Sequence, residues 1–221
     1  MTKPRTFLSL CSLAVLLAAG TVMAAPVRGK IEVELRTVEQ KDSPSYLRVR
    51  NGFLPTVEPQ GDLKRALRVA ILSEGAESTA SCGARYRGGA LLPETLIAAP
   101  GANIALQNGD GTPYHPSSDA IDGLDGAALA PGHATEFSAP SKPGEYPLHD
   151  ALYAHLGGRL IVVEGLIACA DIEADGSFRF ENIEPGEYTV RVFLNGEAVH
   201  DTSLIVPPHG SQTITLPPLA L

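Results

Sequence analysis

Apolar and polar residues alternate with a period of two through much of the chain beyond residue 24, and that period selects strands over helices. Gly29-Lys30-Ile31-Glu32-Val33-Glu34-Leu35 is the first such stretch, and Tyr46 to Arg50 repeats it. A loop carrying Pro55, Pro59 and Gly61 leads to Ala66 to Leu72, a Val/Ile/Leu-rich run read as a strand, with a short helix as the alternative. Residues 73–90, rich in Gly, Ser and Ala, read as a surface loop. Thr95 to Ala98 and Asn103 to Gln107 are short strands around Pro100-Gly101, followed by a long loop from Asn108 to His133.

The last third is more regular, with strands expected at Gly144 to Leu148, Arg159 to Val163, Leu166 to Ile172, Ser177 to Glu181, Glu187 to Leu194, Glu197 to Val206 and Gln212 to Leu216. Asp175-Gly176 and Asn195-Gly196 suit two-residue hairpins that need positive φ, and Pro185-Gly186 presets a type II turn. No stretch carries the pattern of a long helix. The expected class is all-β, as two small sandwiches or one sandwich inserted into another. Composition agrees: among 221 residues, 22 Gly and 18 Pro are too many turn-formers for a helical protein, while 44% hydrophobic residues suffice for a core.

The amino-terminal residues break the alternation. Lys3 and Arg5 precede an apolar stretch from Phe7 to Val22, and Val22-Met23-Ala24 has small residues where a signal peptidase needs them. We expect residues 1–24 to be a leader cleaved after Ala24, since an apolar run of about 16 residues is short of the roughly 20 that span a bilayer. Cleavage removes two basic and no acidic residues, taking the formal charge from −8 to −10, so nucleic acid and anionic membranes are poor partners. It also removes Cys11 and leaves Cys82 and Cys169, an even number that suits one disulfide in an oxidising, periplasmic or secreted setting. The alternative is a pair of buried free thiols, because Cys169 follows the apolar residues Leu166, Ile167 and Ala168. No second apolar run of membrane-spanning length exists, because Glu164 and Gly165 interrupt the best candidate, Leu160 to Ala170.

Two family resemblances rest on specific residues. Asp175-Gly176-Ser177-Phe178-Arg179-Phe180, followed by Ile183-Glu184-Pro185-Gly186-Glu187-Tyr188-Thr189-Val190-Arg191-Val192, resembles the carboxypeptidase regulatory-like, transthyretin-like domain over residues 165 to 206. That resemblance implies a small carbohydrate-binding-like sandwich serving structure or interaction, with a protein or cell-surface carbohydrate as partner. Residues 91–163 resemble a cupredoxin of the kind known from methylamine utilization proteins. The residues that carry this likeness are Leu92-Pro93 to Ala98, Gly101 to Gln107, Asn108-x-Asp110 with His115, Pro131-Gly132 before Phe137, and the closing run from Gly144 through Tyr146, Leu148, Asp150, Tyr153, Leu156, Gly158 and Leu160 to Val162. The expected organisation is a leader at 1–24, N-terminal strands at 25–90 that belong to either the regulatory-like or the cupredoxin-like sandwich, a cupredoxin-like Greek-key sandwich at 91–163, and the regulatory-like domain at 164–221.

The cupredoxin resemblance implies a Cys, a His and a Met as copper ligands where this chain has Asp150, Tyr153 and Leu156. Only His115 matches a ligand position. A type 1 centre needs a soft thiolate with two imidazoles, and no cysteine lies between Cys82 and Cys169, so no type 1 copper is expected. His149 and His155 flank the lost site, and with His115 and Asp150 they form a nitrogen and oxygen set suited to weak Cu(II) or Zn(II) binding. Asp119, Asp122 and Asp125 lack the alternate spacing and distal Glu of a calcium loop, and read as turn formers. No nucleophile elbow, zinc-protease helix, phosphate loop or Cys-x-x-Cys is present. The expected role is an exported, non-catalytic binding or structural protein without a cofactor; a non-redox Cu(II) or Zn(II) binder using loop histidines is the alternative.

Overall fold

A computed structural model of the protein describes residues 24–34, 66–173 and 175–220. Almost all of the leader, the strand expected at 46–50 and the proline-rich loop after it lie outside these residues. Among the described residues the strands are, in order, β1 (Ala25–Lys30), β2 (Val33–Glu34), β3 (Leu67–Leu72), β4 (Ser81–Cys82), β5 (Ala84–Tyr86) and β6 (Leu91–Leu92). Next come β7 (Thr95–Ala98), β8 (Asn103–Asn108), β9 (Pro116–Ser117), β10 (Ala134–Ser138), β11 (Gly144–Asp150) and β12 (Gly157–Val162). The last six are β13 (Leu166–Asp171), β14 (Ser177–Ile183), β15 (Gly186–Leu194), β16 (Glu197–Val206), β17 (Gln212–Thr215) and β18 (Leu219–Ala220). The protein is all-β, and no helix among the described residues is long and apolar enough to cross a membrane.

Pairing sorts the strands into two sandwiches. In one, the sheet β14-β1-β17 faces the sheet β13-β3-β15-β16, and Val27, Phe178 and Phe180 share a core with Val69, Ile71, Val190 and Val192. In the other, β10-β8-β5-β6 faces β4-β7-β12-β11-β9 around Tyr86, Ile104, Leu106, Leu96, Leu148 and Leu160. The second set lies between β3 and β13 in sequence, so one sandwich is inserted into the other. A two-stranded ribbon pairs β2 with β18.

Two strands show why their sequences do not alternate. All six side chains of β3 are buried: Leu67, Val69 and Ile71 face the β1 sheet, while Ala70 and Leu72, with Leu166 and Phe193, join the core of the inserted sandwich. β7 is buried along its whole length as well. Each strand belongs to a sheet covered on both faces, where a continuous apolar run replaces alternation. The two sheets between the outer layers therefore pack back to back.

Covalent and polar links cross this junction. Cys82 on β4 and Cys169 on β13 form the expected disulfide, with Cα atoms 6.0 Å apart. Arg68, the one charged residue of β3, is 2% exposed. Its Nε donates to Thr95 O at 3.0 Å and its Nη2 to Gly83 O at 2.7 Å, while Nη1 pairs with Asp171. Burial pulls the guanidinium below its ordinary pKa and Asp171 works against that pull.

Several local expectations need correction. The loop expected at 73–90 contains β4 and β5, which pair with β7 and with β6 and β8. At two and three residues these pieces are too short to stand alone, so they are held by their partners. β10 forms although most of its residues are exposed. The loop from Asn108 to His133 carries β9 and two isolated bridges, and buries Tyr114, Ile121, Leu124 and Leu129.

The hairpin at Asn195-Gly196 has positive φ at both residues, as its sequence demands. The type II turn at Pro185-Gly186 does not form, because Gly186 is not among the residues with positive φ and already belongs to β15. Its missing side chain has another use: a Cβ there would stand 3.2 Å from Tyr188 Oη and 3.3 Å from its ring. The ring folds back so that its hydroxyl donates to Glu184 O at 2.9 Å. The tetrapeptide Pro-Gly-Glu-Tyr recurs at 143–146, and Tyr146 donates to Lys142 O at 2.7 Å in the same way. Each sandwich thus carries one tyrosine corner. Both bonds are exposed to water, so Tyr146→Phe and Tyr188→Phe should each lower unfolding free energy by only about 0.5–1 kcal/mol in urea titrations. A loss several times larger at either position would mean that the corner organises more than its own bend.

Candidate functional site

The candidate site lies where β11 ends and the chain turns toward β12. Side chains of β11 alternate, so Leu148 and Asp150 point inward and His149, between them, points to solvent. Asp150 is a carboxylate with 3% exposure, and isolated carboxylates are costly to bury. Its partners offset that cost. Oδ2 accepts the His115 backbone N–H at 2.7 Å, and Oδ1 accepts those of Leu152 and Tyr153, both at 2.9 Å. The Asp150 N–H donates to Leu156 O at 3.0 Å, Ala151 N–H to His115 O at 2.8 Å, and Leu156 N–H to Tyr153 O at 2.8 Å. Asp150 thereby ties the 150–156 turn to the segment around His115.

The neighbouring side chains fill the remaining space. Leu156 is buried, and half-buried Tyr153 packs against the same core. Tyr114 meets Tyr153 edge-on with ring centroids 6.0 Å apart, and Tyr86 stacks on Tyr114 at 4.2 Å with 16° between the planes. Tyr153 in turn meets the exposed His155 ring at 6.2 Å. The Tyr114 hydroxyl donates to Asp110 Oδ2 at 2.7 Å, and Asp110 also accepts the N–H groups of Gly88 at 2.8 Å and Gly89 at 3.0 Å.

These contacts set the titration of the cluster. Burial, the Asp110 hydrogen bond and nearby negative charge push the Tyr114 phenol up to about 12. Burial first, then the charge of Asp150, pushes Tyr86 up as well. The amide of Gly89, the Tyr114 hydroxyl and the amide of Gly88 hold Asp110 below the usual carboxylate range. Asn108 supports the arrangement from beneath, fully buried, with Nδ2 donating to Thr112 O and Leu129 O and Oδ1 accepting the Asp110 N–H.

The expected metal set His115, His149, Asp150 and His155 is not brought together. His149 and Asp150 point to opposite sides of one strand, and His155 stands exposed on the turn. The half-buried His115 uses Nδ1–H to donate to Gly126 O at 3.0 Å. Among the described residues, no group of three or more His, Cys, Asp or Glu side chains is placed to hold a metal ion. The three ligand-like positions do not fit type 1 copper either: Asp150 offers hard oxygens already holding three amides, Tyr153 a phenol, and Leu156 no donor. Of the aspartates expected to form turns, Asp125 accepts the Ala127 N–H at 3.1 Å.

Sequence reasoning passed over Tyr86, Tyr114 and Arg68. A lone Arg inside an apolar strand was a legible sign of a buried polar anchor. The tyrosines gave no local sign, because β5 and the long loop bring them together from separate parts of the chain.

No family model matches the chain, and neither does any curated protein. Among solved structures, a Cu-containing nitrite reductase from Thermus scotoductus is 18% identical over 37% of this chain and 22% of its own, with a TM-score of 0.32. The chain therefore spans about a fifth of that protein. Amicyanin from Paracoccus versutus is 17% identical over 43% of this chain and 97% of its own, with a TM-score of 0.34. A purple cupredoxin from Nitrosopumilus maritimus is 18% identical over 37% of this chain and 99% of its own, with a TM-score of 0.33. Each likeness covers less than half of the chain at low identity.

Proposed function

We propose that the chain is an exported, non-catalytic binding or structural protein in which a cupredoxin-like sandwich has given up its type 1 copper and a regulatory-like sandwich accompanies it. The observation that carries this reading is Asp150. Its carboxylate takes three backbone amides at the position where the resemblance implies a copper thiolate, and Tyr153 and Leu156 pack beside it. A carboxylate so engaged stabilises the turn in place of a metal. The disulfide supports export, since such bonds persist in oxidising compartments. A protein or cell-surface carbohydrate remains the partner class.

Spectroscopy with Cu(II) tests the reading. The wild-type protein is expected to show no intense thiolate-to-copper band, and the variant Asp150→Cys/Tyr153→His/Leu156→Met, which keeps His115, is expected to gain one. A blue wild-type protein would overturn the proposal, and a folded but colourless triple variant would remove the cupredoxin-like mapping beneath it. Tight, stoichiometric and colourless binding of Cu(II) or Zn(II), abolished by His149→Ala/His155→Ala, would put the metal-binder alternative in its place.

A further inference from the structure

We propose that the stacked pair Tyr86–Tyr114 is a one-electron donor site, in which Tyr114 gives an electron to an outer-sphere oxidant while its phenolic proton passes to Asp110. Proton disposal decides which tyrosine is oxidised most easily. A phenol that loses an electron becomes a very strong acid, so oxidation is easiest where a base already holds the proton. Tyr114 Oη lies 2.7 Å from Asp110 Oδ2, and the Gly88 and Gly89 amides keep that carboxylate in place. Tyr146 and Tyr188, by contrast, donate to the backbone carbonyls of Lys142 and Glu184, which cannot take a proton. The step balances: the O–H bond of Tyr114 breaks, the proton forms a bond to Asp110, and the electron leaves. The products are a neutral tyrosyl, a neutral carboxylic acid and the oxidant reduced by one electron.

Three further features favour this site. Tyr86 stacks on Tyr114 at 4.2 Å, so the electron deficiency can spread over two rings. Asp150 places a second negative charge beside the pair, and negative charge makes an electron easier to remove. Both rings are buried, at 3% and 2% exposure, which keeps the radical from coupling to another chain while leaving it open to a small trap. Tyr153 and then the exposed His155 continue the run of rings at 6.0 and 6.2 Å, giving the electron a path to the surface. The proposal does not depend on the lost-copper reading, because neither the donor nor its test involves a metal bound to the protein.

Flash oxidation of the full chain by photogenerated tris(bipyridine)ruthenium(III) tests it, with electron paramagnetic resonance for the radical and mass-spectrometric mapping of a radical trap for its position. In the wild type, the trap should mark Tyr114 or its stacked partner Tyr86 in preference to Tyr146 and Tyr188. Asp110→Asn keeps an oxygen for the amides but offers no useful base, and should slow radical formation at least about a hundredfold, the lower side of what a positioned proton acceptor contributes. Tyr114→Phe should move the radical elsewhere or abolish it, whereas Tyr188→Phe should leave the rate unchanged. The wild-type rate should also fall once acid protonates Asp110, below the usual carboxylate range. Equal labelling of all tyrosines in the wild type, or an unchanged rate in a folded Asp110→Asn protein, would overturn the proposal.

Discussion

Asp150→Ala should destabilise the protein by about 3–5 kcal/mol, at the upper end for a single substitution. The truncation leaves the backbone N–H groups of His115, Leu152 and Tyr153 without their acceptor in a buried setting. Water can reach the exposed residue Leu152 more easily than the other two, which keeps the loss below three full desolvation penalties. Asp150→Asn retains one oxygen and should cost less than half as much. Thermal unfolding monitored by near-ultraviolet circular dichroism should show the alanine variant melting about 10 °C lower, given the usual conversion for a domain of this size. An alanine variant as stable as the wild type would mean that the turn is held by its own backbone bonds, and the structural role assigned to Asp150 would fall with it.

Loss of the Cys82–Cys169 bridge should be comparably costly. The two cysteines are 87 residues apart, and cross-linking a loop of that length restricts the unfolded chain by about 4–5 kcal/mol in the chain-entropy treatment, of which about 2–4 is commonly realised. The Cys82→Ala/Cys169→Ala protein should melt roughly 5–15 °C below the oxidised wild type and should not respond to reductant. Its sandwiches should still assemble, because Ala70, Leu72, Leu166 and Phe193 join the core of the inserted sandwich without help from the bridge. Free-thiol titration of the denatured, unreduced mature protein, from which Cys11 has been removed with the leader, should give almost no signal. Equal melting temperatures for the two proteins would show that the central sheets need no covalent tie.

How much could be read in advance depended on where each residue found its partners. β14, β15 and β16 were legible because one face of each is wetter than the other and their turns are short. β3 was legible as a strand, but its continuous apolar run did not reveal that its two faces serve different sandwiches. β4 and β5 were missed because two and three residues are too few to show a period, so that even Tyr86 does not mark a strand alone, and their pairing is decided by β7, β6 and β8. At the site, Asp150, Tyr153 and Leu156 were singled out by the closing run, and the structure places all three beside the same core. The histidines were not legible. Proximity in sequence could not show that His149 points away from Asp150, or that His115 spends a ring nitrogen on Gly126. Neither could it show that Tyr86 and Tyr114 meet.

The pairing of β1 with β17 carries a mechanical consequence. These strands run parallel, with Val27 beside Gln212 and Lys30 beside Thr215, and β2 and β18 continue the same arrangement at Val33 and Leu219. A tether pulling on the segment that enters β1 and another pulling on the segment that leaves β18 would load both ladders along their length. Their hydrogen bonds would have to fail together rather than one after another, as they would if the strands were peeled apart. Resistance to such a pull is governed by the unfolding rate rather than by equilibrium stability. In a protein held between two attachments, the ladders that join β1 to β17 and β2 to β18 would bear the strain, and the inserted sandwich, flanked by β3 and β13, would be out of the line of force until they gave way.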